Sequence, residues 1–279
     1  MGRVQGKVAF VTGAGRGQGR SHCLALAREG ARIVACDVAS GTLPGVEYPL
    51  ATLADLEETE RLVKEAGGEI VIAEADVRDR AAIDLVVQQG LDAFGFIDVV
   101  VANAGVFTWG EAEDLSWEGW HTVIDINLHG TWHTVQACLP QMLERGKGGS
   151  IMMTASQIAT RGQSNAVGYA ASKAGIVGMM RALAAELAPQ GIRVNTIHPS
   201  TVYTGMILNE PVYKVFRPDL ENPTKEHMDA ELRPFHMLPV AALEPIDVSN
   251  AVLYLASDES RYVTSLKLAV DAGSTQKLG

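Results

Sequence analysis

An apolar run that leads directly into a glycine-rich turn constrains this chain most. Residues 7–12 are Lys-Val-Ala-Phe-Val-Thr, and residues 13–19 follow as Gly-Ala-Gly-Arg-Gly-Gln-Gly. Such a run is typical of a strand covered on both faces. Glycines let backbone amides approach a pyrophosphate at the positive end of the helix predicted over 17–29. The pattern predicts a strand, a phosphate-binding turn and a helix, although a glycine-rich turn can also serve simple chain reversal.

The alternation of apolar runs with helical patterns continues along the chain. It predicts an α/β fold with a doubly wound parallel sheet of about seven strands and helices on both faces. The 279 residues, 47% of them hydrophobic, are enough for one large domain spanning 1–279. The predicted strands cover residues 7–12, 32–37, 69–76, 97–102, 149–156, 192–197 and 266–270.

Charge and cysteine content exclude several classes of protein. The net charge is −10, and Lys and Arg form no cluster, which argues against a nucleic-acid or anionic-membrane partner. Three scattered cysteines suit a reducing compartment. No run approaches the ~20 apolar residues of a membrane span, and the N-terminal run is too short for a signal sequence. The sequence therefore predicts a cytoplasmic protein.

Tyr169 and Lys173 form a candidate acid/base pair. They lie at i and i+4 of a helix predicted over 167–187, so they share one helix face. An ammonium ~4 Å away is worth about 4 kcal/mol at an effective dielectric constant of ~20, which is enough to lower the phenol pKa by roughly 3 units. A surface Tyr that packs on a Lys stem is the alternative. Ser156 precedes the pair at the end of a predicted strand, where side chains face the ligand crevice of such sheets.

These motifs together resemble the short-chain dehydrogenase/reductase family over essentially the whole chain. The resemblance rests on five motifs in order: Thr12-Gly13-x-x-x-Gly17-x-Gly19, Asn103-Ala104-Gly105, Asn127, Ser156 and Tyr169-x-x-x-Lys173. It implies a Rossmann-type sheet and an enzyme that interconverts a secondary alcohol and its ketone by hydride transfer to NAD.

The resemblance also implies a role for each catalytic residue. Tyr169 would exchange the hydroxyl proton, and Lys173 would lower the pKa of Tyr169 and hold the nicotinamide ribose. Ser156 would bind the substrate oxygen, and Asn127 would position a water that relays the proton through Lys173. The implied cofactor contacts are Gly13, Arg16, Gly17, Gln18, Gly19, Asp37, Asp76, Val77, Asn103, Ala104, Gly105, Tyr169, Lys173, Pro199, Val202 and Thr204.

Asp37 favours NAD over NADP. It lies 18 residues after Gly19, where an acid can hold the ribose hydroxyls and repel a 2′-phosphate. Arg16 argues the other way, because a basic residue in this turn can bind a 2′-phosphate. Asp37 is preferred, since Arg16 can turn to solvent. Ser200 stands where many relatives have glycine, which makes the nicotinamide contacts of Val202 and Thr204 less secure.

The cofactor-side insert, residues 38–51, is longer than the two to six residues usual for such a connection. With its Tyr48-Pro-Leu-Ala-Thr52 ending it resembles the mycofactocin-associated, carveol-dehydrogenase-like subgroup. That resemblance implies that the insert covers NAD and hinders its exchange. Pro44 and Pro49 reduce the entropy lost on ordering the loop, and Leu43, Tyr48 and Leu50 offer apolar surface to the adenine. A neutral surface insertion is the alternative.

Residues 206–238 are predicted to be an irregular lid with an apolar underside, and hence to cover a largely apolar substrate. The apolar residues expected there are Met206, Ile207, Leu208, Val212, Tyr213, Val215, Phe216, Phe235, Met237 and Leu238.

A long helix is predicted over 116–144 and carries Asn127. His129 and His133 have a metal-compatible spacing on it, but no third ligand is evident, so no metal is expected. The helix over 167–187 is apolar nearly all round, which predicts a homo-oligomer, a tetramer as in many relatives. Two other functions stay open: an ordinary NAD-exchanging sterol- or sugar-type dehydrogenase, and a nucleotide-sensing module without catalysis.

Overall fold

A computed structural model describes residues 2–43 and 45–277. Seven parallel strands form one sheet in the order β3-β2-β1-β4-β5-β6-β7, which confirms the predicted fold class. The strands are β1 Val8–Thr12, β2 Arg32–Asp37, β3 Ile70–Glu74, β4 Val99–Ala102, β5 Gly149–Thr154, β6 Ile192–Pro199 and β7 Lys267–Val270.

Helices cover both faces of this sheet. The helices are α1 Gly17–Arg28, α2 Leu53–Glu65, α3 Arg80–Phe94, α4 Trp117–Ile124, α5 Gly130–Arg145, α6 Ile158–Arg161, α7 Val167–Leu187, α8 Glu210–Phe216, α9 Lys225–Leu232 and α10 Pro245–Ala256. Successive residues of β1 serve opposite cores, because side chains alternate along a strand. Phe10 packs with Met180 of α7 in one core, and Val11 packs with Leu26 of α1 and Val252 of α10 in the other.

The order in which strands are added to the sheet reverses at β1, which pairs with β2 on one side and with β4 on the other. The helices that follow β1 and β4, α1 and α5, therefore lie on opposite faces of the sheet, and a crevice opens at the carboxyl ends of the strands. Thr52 and Asp55 form a capping box at the start of α2.

Two expectations change in detail. The long helix predicted over 116–144 is present as α4 and α5, joined by a π-helical turn at Asp125–His129. The lid is not irregular, because it contains α8 and α9. Asn209 caps α8 by accepting a hydrogen bond from the Val212 amide at 3.0 Å, and Thr224 begins α9 in a capping box.

The cysteines and the two closely spaced histidines all lie in the described part of the chain. Cys23, Cys36 and Cys138 are buried free thiols. His129 contacts Asp125, and His133 contacts the Val77 carbonyl. None of the helices in the described part of the chain combines the length and apolar character that crossing a bilayer requires.

Candidate active site

The loops after β1 and β4 pack directly on each other at the crevice. The Thr12 hydroxyl accepts hydrogen bonds from the amides of Asn103 and Ala104, each at 3.2 Å. A Cβ on Gly13 would lie 2.8 Å from the Ala104 Cα, and Gly13 has φ +68°. No residue but glycine fits here without displacing the backbone.

One cleft collects most of the predicted cofactor contacts, and a second cavity adjoins it. The cleft is lined by Gly13, Arg16, Gly17, Gln18, Gly19, Asp37, Asp76, Val77, Asn103, Ala104, Gly105 and Thr204. The adjoining substrate cavity is lined by Ser156, Tyr169, Lys173, Pro199 and Val202 together with Gln18, Asn103, Gly105 and Thr204. Pro199 and Val202 thus lie on the substrate side of the boundary.

The cleft residues fit a dinucleotide. No side chain caps α1, and its first turn carries no acid, so its amides are free to bind a diphosphate. The buried Oε1 of Gln18 has no hydrogen-bond partner among the described residues. Asp37, at the far end of the cleft, accepts a hydrogen bond from the Gly15 amide at 2.8 Å. Burial raises the pKa of Asp37, and that amide opposes the shift.

Tyr169 and Lys173 share one face of α7, as predicted, but their electrostatics differ from the expectation. The Lys173 Nζ donates to the Thr154 carbonyl at 2.8 Å and lies 5.6 Å from the Tyr169 ring centroid. Burial lowers the pKa of Lys173 to about 7. Burial also raises the pKa of Tyr169 to about 12, against a smaller opposing effect of the Ser156 hydroxyl.

The net pKa of Tyr169 is therefore raised in this arrangement, because burial dominates, and a lowering of that pKa by Lys173 stays a prediction. Spacing along a helix fixes proximity, but desolvation works against the charge of both groups. The ammonium also points to the carbonyl at the end of β5.

Ser156 follows β5 and is only 7% exposed. Its carbonyl contacts the His198 Nδ1 at 2.9 Å, and the His198 Nε2 contacts the Thr196 hydroxyl at 2.9 Å. His198 thus supports the Ser156 loop from β6. No motif in the sequence marks this histidine.

Asn127 is fully buried in the π-helical turn. Its Oδ1 accepts from the Val106 amide at 2.8 Å, and its Nδ2 donates to the Val106 carbonyl at 2.9 Å. A Cβ on Gly105 would lie 3.2 Å from the Asn127 Oδ1 and 3.3 Å from the Lys173 Nζ. Asn127 and Lys173 therefore converge under Gly105. The water relay through Asn127 stays a prediction.

Two aromatic residues that the sequence analysis missed form a wall of the substrate cavity. Phe107 contacts Tyr169 edge-on, with ring centroids 5.0 Å apart and planes at 82°, and Trp109 lies 5.8 Å from Phe107. No motif marks residues 106–116, the part of the loop between β4 and α4 that follows Asn103-Ala104-Gly105. The one feature of the sequence that indicates a functional role for this loop is its position after the end of strand β4.

The insert closes over the cleft and is pinned at several points. Ser40 and Thr52 pair in an antiparallel bridge, and the Leu50 amide donates to the Gly41 carbonyl at 2.8 Å. Arg16 donates to the Pro49 carbonyl, so it binds the insert. Leu43, Tyr48 and Leu50 line the cofactor cleft, as expected of a cover. Pro44 lies outside the described residues.

The lid supplies apolar residues to the substrate cavity, but fewer than predicted. Met206, Ile207, Val212, Val215 and Phe216 line it. In contrast, Phe235, Met237 and Leu238 are 45%, 61% and 60% exposed. The amides of Met237 and Leu238 both bond to the Ala272 carbonyl, which holds this stretch against the C-terminal segment and away from the cavity.

Comparison with known proteins decides the family. A family model described as enoyl-(acyl carrier protein) reductase matches residues 13–275. The chain belongs to the short-chain dehydrogenase/reductase family. It is 43% identical to (−)-trans-carveol dehydrogenase of Rhodococcus erythropolis, over 99% of this chain and 100% of that one.

Solved structures of this family superimpose closely on the chain. Carveol dehydrogenase from Mycobacterium avium, in complex with NAD, has a TM-score of 0.97 at 47% identity and covers 99% of this chain and 100% of its own. A short-chain dehydrogenase from Mycobacterium paratuberculosis bound to NAD has a TM-score of 0.89 at 42% identity, with the same coverage. The protein is an oxidoreductase of this family.

The buried Lys173 makes stability depend on pH. Its pKa is about 7 in the folded protein and ~10.4 in the unfolded chain, so the unfolded state binds more protons between those values. Stability then rises with pH in this window, by up to about 1.4 kcal/mol per pH unit. In nucleotide-free protein, the stability of wild type relative to Lys173→Met should rise from about pH 7.5 to about 9.5 in urea denaturation. Lys64→Met, on the exposed side of α2, is the control, and parallel pH curves for wild type and Lys173→Met would contradict the burial argument.

Proposed function

We propose that this protein is an NAD-dependent dehydrogenase that interconverts a largely apolar secondary alcohol and its ketone. The observation that carries the proposal is the meeting of Ser156, Tyr169 and Lys173 in a cavity with apolar walls on two sides that adjoins the Asp37 cleft. The cofactor is NAD, since a 2′-phosphate would lie against the Asp37 carboxylate. We further propose that residues 1–279 act as one domain.

NAD, when bound, supplies the hydride acceptor and donor. The protein supplies placement and proton handling. Ser156 hydrogen-bonds the substrate oxygen, and Tyr169 exchanges the hydroxyl proton. Because burial raises the pKa of Tyr169 to about 12, the phenol is held protonated, ready to donate to a ketone.

Alcohol oxidation needs the reverse transfer, in which Tyr169 must pass its proton on. Lys173, whose pKa is about 7, can take up or release a proton near neutral pH. In this proposal Asn127 completes the route by holding a water beside Lys173. Its buried amide, fixed on Val106, suits a group that must not move during proton transfer.

An apolar substrate follows from the cavity walls. Phe107 and Trp109 form one side, and the lid residues Val212, Val215 and Phe216 form another. The relatives named carveol dehydrogenase support an alcohol of this kind.

Tyr169→Phe tests the assignment. We expect turnover to fall by roughly 100-fold or more, because the general acid/base is lost, while NAD affinity stays nearly unchanged. Steady-state and single-turnover rates with (−)-trans-carveol provide the measurement. Tyr262→Phe is the matched control, since Tyr262 is 89% exposed. A Tyr169→Phe enzyme that keeps half its activity would contradict the assignment of Tyr169 as the general acid/base.

We propose further that NAD is held tightly under the insert and is reoxidised in place, with mycofactocin as electron acceptor. The cover formed by Leu43, Tyr48 and Leu50, fastened by Arg16 to Pro49, supports slow release. If the cover adds about 4 kcal/mol to the binding free energy of NAD, and this gain affects mainly the dissociation rate, NAD release slows on the order of a thousandfold.

The protein should then purify with NAD(H), turn over poorly with free NAD, and turn over with an artificial electron acceptor. Mass spectrometry of the denatured protein detects the nucleotide. Deleting 40–50 should restore exchange. The ends of the insert are paired at Ser40 and Thr52, and circular dichroism checks that the fold survives. Rapid uptake of labelled NAD by the intact protein would indicate an ordinary exchanging dehydrogenase instead.

The exposed side of α7 supports a proposed homotetramer. This side consists mainly of small residues, among them Ala171, Ala174, Gly178 and Ala182, which allow close helix contact. We expect light scattering at micromolar concentration to give a tetramer with α7 and the α4–α5 helix at interfaces. Gly178→Arg should dissociate it, since no atom lies within 4 Å of a Cβ at that position and the added charge would face the neighbouring subunit. A wild-type monomer would count against the assembly.

A further inference from the structure

We propose that Tyr48 of the insert is a positioning residue for Tyr169 and acts through Phe107. The inference rests on the proposed function, because it concerns the same acid/base. It gives the insert a second role: besides covering the cofactor, the insert completes the wall that holds the catalytic phenol.

Tyr48 is anchored unlike the residues beside it. Glu47 and Pro49 are exposed, whereas Tyr48 is only 5% exposed. Its hydroxyl oxygen accepts a hydrogen bond from the Phe107 amide at 2.9 Å, across 59 residues of sequence. The ring lines both the cofactor cleft and the substrate cavity. Tyr48 therefore reaches past the cofactor side into the catalytic side.

Phe107 links Tyr48 to Tyr169, because its amide binds the first and its ring contacts the second. Its ring meets the Tyr169 ring edge-on at 5.0 Å and 82°, a favoured geometry for aromatic pairs. Trp109 packs 5.8 Å away on Phe107. A shift of the Phe107 backbone would move the ring that contacts the phenol.

The chain around Phe107 is held from two sides. Asn127 binds both the amide and the carbonyl of Val106, and Tyr48 binds the next amide along the chain. The first support belongs to the buried core and the second to the insert. Without the Tyr48 hydroxyl, the partly buried Phe107 amide loses its acceptor, and the loop is expected to relax toward water or another partner.

This arrangement ties the closed insert to the geometry of the acid/base. An insert that swings away to release the cofactor must break the Tyr48–Phe107 bond, and the wall beside Tyr169 then loosens. Tyr169 is held in place for proton transfer only while the cover is closed. A misplacement of a reacting group by about 1 Å can slow the chemical step by roughly 100-fold.

A double-mutant cycle tests the coupling. Tyr48→Phe keeps the ring and removes the acceptor, whereas Phe107→Leu keeps the amide and removes the ring that contacts Tyr169. Single turnover of enzyme-bound NAD with (−)-trans-carveol gives the rate of hydride transfer and the apparent affinity for the alcohol. NAD(H) release is followed separately, and Tyr262→Phe serves as the control.

We expect Tyr48→Phe and Phe107→Leu each to slow hydride transfer by about 10-fold, and Tyr48→Phe to change the alcohol affinity by less than about 3-fold. The double variant should be little slower than the slower single variant, because both changes break one chain of contacts. A role in folding alone would lower thermal stability and leave the rate per folded enzyme unchanged, which would overturn the proposal.

Faster NAD release with unchanged hydride transfer in Tyr48→Phe would also overturn it, and so would additive effects of the two changes. Failure of the proposed function would be distinguishable, because Tyr169→Phe would then remain active. If Tyr169→Phe is inactive and Tyr48→Phe matches wild type, the function stands and the positioning role falls.

Discussion

The pairing of β1 with both β2 and β4 is the constraint on which the site depends. The helices α1 and α5, which follow β1 and β4, lie on opposite faces of the sheet, and the contact between Gly13 and Ala104 fixes the separation of the loops after these two strands. The cleft forms on the β2 and β3 side, and the substrate cavity forms above β5 and β6. Ser156 lies beside the cleft because β5, which precedes it, pairs with β4. Lys173 reaches the end of the same strand from α7, where it donates to the Thr154 carbonyl.

Burial sets the electrostatic character of Tyr169 and Lys173, the proposed catalytic pair. Burial lowers the pKa of Lys173 to about 7, so its ammonium and amine forms are about equally populated near neutral pH. Burial raises the pKa of Tyr169 to about 12, so the phenol is protonated at that pH. Because the phenol is neutral, Tyr169 and Lys173 form no ion pair that proton transfer would have to break. The carbonyl of Thr154 stabilises the ammonium whenever Lys173 is protonated. The same low dielectric would strengthen any hydrogen bond that the two residues make to a ligand.

The sequence allowed most of the fold and the positions of the motif residues to be predicted, because strand ends, glycine turns and helical spacing are local properties. The pKa of Tyr169 could not be predicted, since i, i+4 spacing gives distance and says nothing about desolvation. The contact between Tyr48 and Phe107 was beyond reach for another reason: it joins two loops that no periodicity relates. The helices of the lid were within reach, because Asn209 and Thr224 are ordinary capping residues.

The hydrogen bond from the Gly15 amide to Asp37 has a consequence for cofactor engineering. Asp37, which we propose binds the ribose of the nucleotide, also holds the glycine-rich turn in shape by accepting that amide. Replacing Asp37 by a small apolar residue, in order to admit a phosphorylated ribose, would remove its negative charge. The same change would also remove the hydrogen-bond acceptor that holds the turn at Gly15. Asn keeps an acceptor oxygen while discarding the charge, so it separates cofactor preference from loop integrity. Redesign of cofactor use in this scaffold therefore has to begin with the shape of the turn.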